Sequence, residues 1–495
     1  MSKRFQNALL TPREMTCADQ AAMASGIPGI ALMAAAGRAI VDVIVTHWEK
    51  CPVLVACGPG NNGGDGFVVA RLLKEIGWPV QVALLGPADQ LKGDAAWHFS
   101  KWDGPVHPLA TSLLDGSELV VDALFGAGLS REVEGLAAEF LHEVSRRQIP
   151  VCAVDVPSGV DGGTGQVRGV AVAARHTVTF FRKKPGHLLL PGRELCGRLH
   201  VADIGIPEGV LEELEPICAE NAPDNWAGVL PRPGAVTHKY HRGHVLVRGG
   251  GVMTGAARLA AYAAARIGAG LVTIAVPRKA WPVYAASCLS IMVEPISQNG
   301  FQDSLADERR NVVLLGPGAG VTGSTRTDVL AAAATGRTLV LDADALSAFS
   351  GEHEELFAAL HGPCVMTPHE GEFQRLFPSY DGDKMQRARR AAVESRAVII
   401  LKGADTVIAE PNGRVAINAG DAPWLATGGT GDVLAGMVAG LCAQGMQPFE
   451  AACAAVWIHA EAGRLAGPGM LSEDLPACLP KVLRNLMSAD FLPVQ

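Results

Sequence analysis

Short runs of β-branched residues alternate with longer helical patterns along most of the chain, and this alternation restricts the fold more than any other feature. Strands interleaved with helices in this way bury both faces of a sheet in parallel α/β architecture. Strands are predicted at 52–57, 80–85, 118–124, 151–156, 176–181 and 199–204, with helices at 67–77 and 136–147 and one long helical stretch over 18–47. The rhythm lapses once, across 206–233, where five prolines (Pro207, Pro216, Pro223, Pro231 and Pro233) mix with Glu208, Glu212, Glu213 and Glu215. Prolines and charge at that density suit a connection between compact units, so a boundary is placed near 216–222. A second series follows, with strands at 244–247, 271–276, 312–315, 338–341, 364–366 and 397–401. A hairpin of 406–409 with 414–418 is turned by Pro411-Asn412-Gly413.

Composition removes several function classes. With 48% hydrophobic and 19% charged residues the 495-residue chain can fill more than one core and does not read as disordered. A formal net charge of -8 argues against a mainly electrostatic nucleic-acid binder and leaves small acidic metabolites as partners. The 11 cysteines are scattered and form no Cys-x-x-Cys pair, so they read as buried apolar groups in a reducing compartment. Residues 1–16 lack the apolar core of a signal peptide, and the Ala-rich stretches carry Arg258 and Arg266. No membrane span is expected, and the cytoplasm is the expected location. His238, His241 and His244 have a tempting spacing for zinc, but His244 enters a predicted strand and metal binding there is not expected.

The sharpest motif of the first half is Cys57-Gly58-Pro59-Gly60-Asn61-Asn62-Gly63-Gly64-Asp65-Gly66, set between a strand and a helix. It satisfies G-x-G-x-x-G, yet the carboxylate that reads a ribose about twenty residues on is missing. A glycine turn at a helix start still favours phosphate, and Asn61, Asn62 and Asp65 add polar groups that a plain tight turn does not need. Asp122 leads into Gly126-Ala127-Gly128-Leu129-Ser130-Arg131, and Asp155 leads into Val156-Pro157-Ser158-Gly159. Each aspartate ends a strand, where open α/β sheets place ligands, although capping the next helix is the plain alternative.

In the second half, Arg248-Gly249-Gly250-Gly251-Val252-Met253-Thr254-Gly255-Ala256 and Gly316-Pro317-Gly318-Ala319-Gly320 each follow a strand; close packing alone could also require them. Ala426-Thr427-Gly428-Gly429-Thr430-Gly431-Asp432 precedes a helix, so it offers an anion hole with a carboxylate able to deprotonate an attacking hydroxyl.

Taken together, the first-half motifs resemble the NAD(P)H-hydrate epimerase domain, over about residues 10–215. That resemblance implies a Rossmann-like α/β/α domain over 1–217 and a potassium ion held by Asn62, Asp122 and Ser158. It implies substrate along Asn61, Asn62, Gly63, Gly64 and Asp65 and along Gly126, Ala127, Gly128, Leu129, Ser130, Arg131 and Glu132, with Asp155 the candidate acid/base. The family leads one to expect a Glu-Asn pair before Ala-Gly in the early helix; here the run is Leu32-Met33-Ala34-Ala35-Ala36-Gly37. Leu401-Lys402-Gly403-Ala404-Asp405-Thr406, Asp342-Ala343-Asp344-Ala345 and the Asp432 motif resemble the ribokinase-like fold, and Thr367-Pro368-His369-Glu370-Gly371-Glu372-Phe373 resembles its NAD(P)H-hydrate dehydratase branch. This second resemblance implies a domain over 222–495 whose hydrate site is lined by Ala256, Gly318, His369 and Asp432. Lys402, Gly403, Ala404, Asp405, Thr406 and Gly431 would hold an adenine nucleotide, with magnesium and with ADP as co-substrate. A homo-oligomer acting on NADH and NADPH hydrates is the expectation. The alternative is a small-molecule kinase of the same fold carrying a non-catalytic binding or dimerisation module.

Overall fold

The computed structural model describes residues 5–488 and divides into two compact units, one spanning Ala8–Cys218 and the other running from Ala219 and including residues 5–7. Those first residues fall to the second unit because the Asn7 carbonyl accepts from Glu220 N–H at 2.8 Å and its amide donates to Asn225 at 3.2 Å. Nothing in their composition announces this.

The first unit holds a seven-stranded parallel sheet built from β1 (Val53–Cys57), β2 (Val80–Leu84), β3 (Val106–Pro108), β4 (Leu119–Ala123), β5 (Val151–Val154), β6 (His176–Phe180) and β7 (Arg198–Ala202). Its order is β3-β2-β1-β4-β5-β6-β7, so connections run outward in both directions from between β1 and β4, the place where such sheets bind ligands. Central strands β1, β4, β5 and β6 are buried throughout, as expected of strands covered on both faces. The three-residue edge strand β3 was not predicted; Val-His-Pro carries no alternation to read.

Two helical expectations need correction. The stretch over 18–47 is two helices, Pro12–Ala24 and Gly29–His47, separated where Gly26 takes φ +101° and Pro28 sets the next N-cap. Helix Asn61–Glu75 begins six residues before the predicted 67, so the asparagines and glycines of the motif are its first turns rather than a loop before it. The glycines are required by crowding: a Cβ at Gly63 would lie 1.9 Å from the Gly58 carbonyl oxygen, and one at Gly66 2.8 Å from Ala123 Cβ. By length and composition Gly29–His47 could cross a membrane, contrary to expectation. One face of it is committed inward, with Leu32, Met33, Ile40 and Ile44 buried and Gly37 against Val68.

The second unit is organised on a ten-stranded sheet: β8 (Cys218–Glu220), β9 (His244–Arg248), β10 (Leu271–Val276), β11 (Met292–Pro295), β12 (Val312–Leu315), β13 (Thr338–Leu341), β14 (Cys364–Met366), β15 (Val398–Leu401), β16 (Thr406–Ala409) and β17 (Val415–Asn418). The order is β11-β10-β9-β12-β13-β14-β15-β16-β17-β8, parallel from β11 to β15 and antiparallel from β15 through β17. Here the reversal lies between β9 and β12. Edge strands β8 and β11 were not predicted, the former because it lies in the proline-rich connection.

Helices Thr254–Arg266 and Thr430–Ala443 pack on each other in the core of this unit. Their approach is backbone to backbone: a Cβ at Gly436 would sit 2.1 Å from the Ala260 carbonyl oxygen, and one at Gly440 2.6 Å from that of Ala264. An alanine-rich helix facing glycines is the sequence condition for such closeness.

Candidate functional site

In the first unit, the segments leaving β1, β4 and β5 surround a cleft of about 540 Å³. Asn61, Asn62, Asp65, Asp155 and the whole run Gly126–Arg131 line it. Gly63 and Gly64 are buried behind this wall as packing residues, and exposed Glu132 lies outside the lining. Met33, in the run where a Glu-Asn pair was expected, packs against Gly64.

Asp155 sits at φ +65°, a strained conformation for a non-glycine residue. Its Oδ1 accepts from Lys184 Nζ at 2.7 Å and Thr179 Oγ1 at 2.9 Å, and Oδ2 accepts from Ala127 N–H at 2.9 Å. The Lys184 N–H donates to His187 Nδ1, which leaves the His187 Nε2–H to donate to the Asp155 carbonyl, both at 2.8 Å. Burial holds His187 neutral, its pKa down at about 4. Burial would also push Asp155 up, but the Lys184 ammonium outweighs it and holds the carboxyl at about 2. Asp155 is therefore ionised at neutral pH, the form in which the expected acid/base residue accepts a proton. Two other carboxyls lining the cleft behave oppositely. Burial raises Asp19 to about 6, and burial together with Asp155 and Asp19 raises Asp65 well above the usual range. Sequence reading missed Lys184, Thr179, His187 and Asp19. None belongs to a glycine motif, and Asp19 comes from a helix distant in sequence.

Asp122 lies behind the cleft, fully buried. Ser158 Oγ–H donates to it at 2.6 Å, Ser158 N–H at 2.8 Å and Leu124 N–H at 3.3 Å, while Ser158 Oγ accepts from Phe125 N–H at 2.8 Å. All of these donors are neutral, and burial pushes the Asp122 carboxyl up despite them. A Cβ at the adjoining Gly126 would sit 3.0 Å from Asn62 Oδ1, and Asn62 Nδ2 is buried without a partner. A buried carboxylate with only neutral donors, a serine hydroxyl and an amide whose Nδ2 has no partner offer oxygens that fit a monovalent cation.

In the second unit, the turns after β9 and β12 meet where the sheet reverses. A Cβ at Gly250 would lie 1.6 Å from the Gly318 carbonyl oxygen, and one at Gly318, itself at φ +64°, 3.2 Å from Ala256 Cβ. Asp432 is in the first turn of helix Thr430–Ala443, whose N-cap Gly429 takes φ +91°. Its side chain makes no cap, so the plain alternative of a helix-capping aspartate is not what the structure shows. Burial, then Asp342, with smaller contributions from Asp344 and Glu372, raises Asp432 to about 7 against the opposing pull of Lys402. That is the range in which a general base works best at neutral pH.

Lys402 reaches Asp342 Oδ1 at 2.8 Å and Glu372 Oε2 at 3.8 Å, and a Cβ on Gly431 would lie 3.3 Å from its Nζ. Asp342 also accepts from Thr367 at 2.7 Å, and Ala343 beside it has φ +45°. His369 caps its own helix, Nδ1 accepting from Gly371 N–H at 3.0 Å and Glu372 N–H at 3.2 Å, with its side chain 55% exposed. Gly403 and Ala404 are exposed, whereas Thr406 Oγ1 holds the turn by donating to the Gly403 carbonyl at 2.7 Å and Asp405 pairs with Lys384 at 2.5 Å. Sequence reading placed Glu372 and Asp342 in motifs but gave neither a role in setting the charge around Asp432. Asp342, Asp344 and Glu372 all bear on Asp432, and this acidic group, with Lys402 on Asp342, fits a hard divalent cation with phosphate. Of the histidines at 238, 241 and 244, His244 is buried with its Nε2 2.8 Å from Thr273 Oγ1, and the rings of His238 and His241 lie 3.5 Å apart.

The chain matches the family described as NAD(P)H-hydrate dehydratase over residues 244–481 and the family described as YjeF-related protein N-terminus over residues 29–186. It is 38% identical to a bifunctional NAD(P)H-hydrate repair enzyme Nnr of Moorella thermoacetica, covering 97% of both chains. It is 39% identical to that of Gloeobacter violaceus, over 90% of this chain and 91% of the relative. The solved ADP/ATP-dependent NAD(P)H-hydrate dehydratase of Bacillus subtilis, co-crystallised with ATP/Mg2+, is 28% identical and covers 54% of this chain and 98% of its own, with a TM-score of 0.48. At 38% and 39% identity to these two bifunctional relatives over 90% or more of its length, the chain belongs to the family of bifunctional NAD(P)H-hydrate repair enzymes.

Proposed function

We propose that the first unit interconverts the R and S hydrates of NADH and NADPH, and that the second dehydrates the S hydrate at the expense of ADP, giving AMP and phosphate. The observation that carries this reading is Asp432, a half-buried carboxylate raised to about 7 at a helix start. It removes the proton from the substrate's ring hydroxyl as that oxygen attacks the terminal phosphorus, and AMP departs. The ring nitrogen's electron pair then expels phosphate, and loss of a proton from the neighbouring carbon restores the dihydropyridine. Lys402, Gly403, Ala404 and Gly431 line the nucleotide side, with Asp405 and Thr406 shaping the turn; Ala256, Gly318 and His369 face the hydrate. Magnesium, when bound by the carboxylates around Lys402, would neutralise phosphate charge.

In the first unit, Asp155 is the acid/base residue, accepting a proton in its ionised form, and Asp19 and Asp65, both raised by burial, are placed to return one. Potassium at Asn62, Asp122 and Ser158 would balance the buried Asp122 and fix the 124–126 turn. The protein is proposed to work in the cytoplasm as a homo-oligomer. The test is incubation with mixed hydrate epimers and ADP or ATP, following reduced-nicotinamide absorbance. Recovery from both epimers is expected. Recovery from one alone would remove the epimerase assignment, and a phosphorylated product that accumulates would favour a kinase instead.

A further inference from the structure

The first unit contains a second cluster of metal-binding chemistry at the opposite edge of its sheet. His176 is the first residue of β6 and His200 the middle of β7. The register pairs Val178 with His200, so His176 and His200 are diagonal neighbours on one face. Helix Gly29–His47 ends beside that face, and the ring of its last residue stacks on His176 with centroids 4.2 Å apart and lies 5.6 Å from His200. His176 Nδ1 and His200 Nε2 are 2.9 Å apart, a hydrogen bond that needs one unprotonated nitrogen. One nitrogen from each of the three rings falls within 4.8 Å of the others. Tetrahedral ligation at the usual Zn–N length separates ligand nitrogens by about 3.4 Å, between these two values. A small opening of the 2.9 Å pair and a turn of the His47 ring complete it. Trp48 packs edge-on against His176 at 4.9 Å, and its indole N–H is buried without a partner, available to an oxygen at a fourth position. The exposed Arg175 and Arg198 flank the cluster; water screens their charge.

We propose that His47, His176 and His200 form a binding site for a borderline divalent transition metal, with zinc the representative ion and water the fourth ligand. Three imidazoles select such ions over magnesium or calcium, which prefer oxygen. The ion ties the end of helix Gly29–His47 to β6 and β7. Phe180, at the other end of β6, lines the substrate cleft, four residues or about 13 Å away. The metal is therefore structural and outside the epimerisation chemistry.

The test uses the untagged full-length protein, stripped with chelator and titrated with zinc chloride in excess magnesium. One zinc per chain is expected, with affinity lowered more than about 100-fold in His47→Asn and in His200→Gln. Epimerisation by His47→Asn should match wild type, and zinc should raise the thermal midpoint of wild type but not of that variant. Cobalt(II) should give the visible bands of four-coordination in wild type alone. Unchanged zinc affinity in both variants, or no stoichiometric binding by wild type, overturns the proposal. His47 is the last residue of its helix, so its replacement does not threaten the fold.

Discussion

In the first unit a buried lysine bonds the carboxylate that faces the cleft; in the second, Lys402 bonds a neighbour of the corresponding carboxylate and leaves that group among like charges. Asp155 and Lys184 lie 2.7 Å apart and the acid falls to about 2. Lys402 is held 2.8 Å from Asp342, and Asp432 rises to about 7. The two sites share residue types, burial and position at a sheet's reversal point. What separates them is which oxygen the ammonium touches. A carboxylate with its own lysine stays ionised through the neutral range, whereas one whose lysine is engaged next door titrates near neutrality.

The largest expected effect comes from Asp432→Asn, which removes the titrating group. Dehydration turnover should fall by about 10²- to 10⁴-fold while nucleotide binding and epimerisation persist. Near-normal turnover would end the role assigned to it. Next is Lys184→Met, which strands a buried charge on Asp155. Unfolding by denaturant should show the first unit weakened by about 3–5 kcal/mol, and Lys184→Met with Asp155→Asn should recover part of that loss. If the double variant is no more stable than the single one, the two groups are not coupled. Gly63→Ala, whose methyl would meet the Gly58 carbonyl, should cost about 1–3 kcal/mol in the same measurement.

The smallest effect is the most discriminating. Asp432 must be ionised to act as a base, so dehydration turnover should decline as pH falls through about 7. Lys402 lowers the Asp432 value and Asp344 raises it. Lys402→Met should therefore move this limb to higher pH and Asp344→Asn to lower pH. Shifts in the same direction would show that the limb belongs to another group.

The parallel sheets and the glycine-rich turns at their strand ends were legible because β-branched runs and strand-end glycines are local signals. What was not legible depends on distance along the chain or on short segments. Edge strands such as Val106–Pro108 have too few residues to show a pattern. Gly26 and Pro28 could have split the early helix, but the apolar periodicity on both sides masked the break. Lys184 sits in an ordinary basic stretch, and only the folded loop after β6 brings it to Asp155. The three histidines at 47, 176 and 200 come from a helix and two strands that no spacing rule connects.

The glycine contacts between helices Thr254–Arg266 and Thr430–Ala443 have a mechanical consequence. Ala256 lies at the start of one helix and Asp432 at the start of the other, and with Gly436 against Ala260 the pair has no side-chain cushion in which to slide. The starts of the two helices, with Ala256 and Asp432 on them, are thus held as one rigid piece. Freedom to move is left to segments outside that piece, such as those carrying His369, Glu370, Gly403 and Ala404, which stand in solvent.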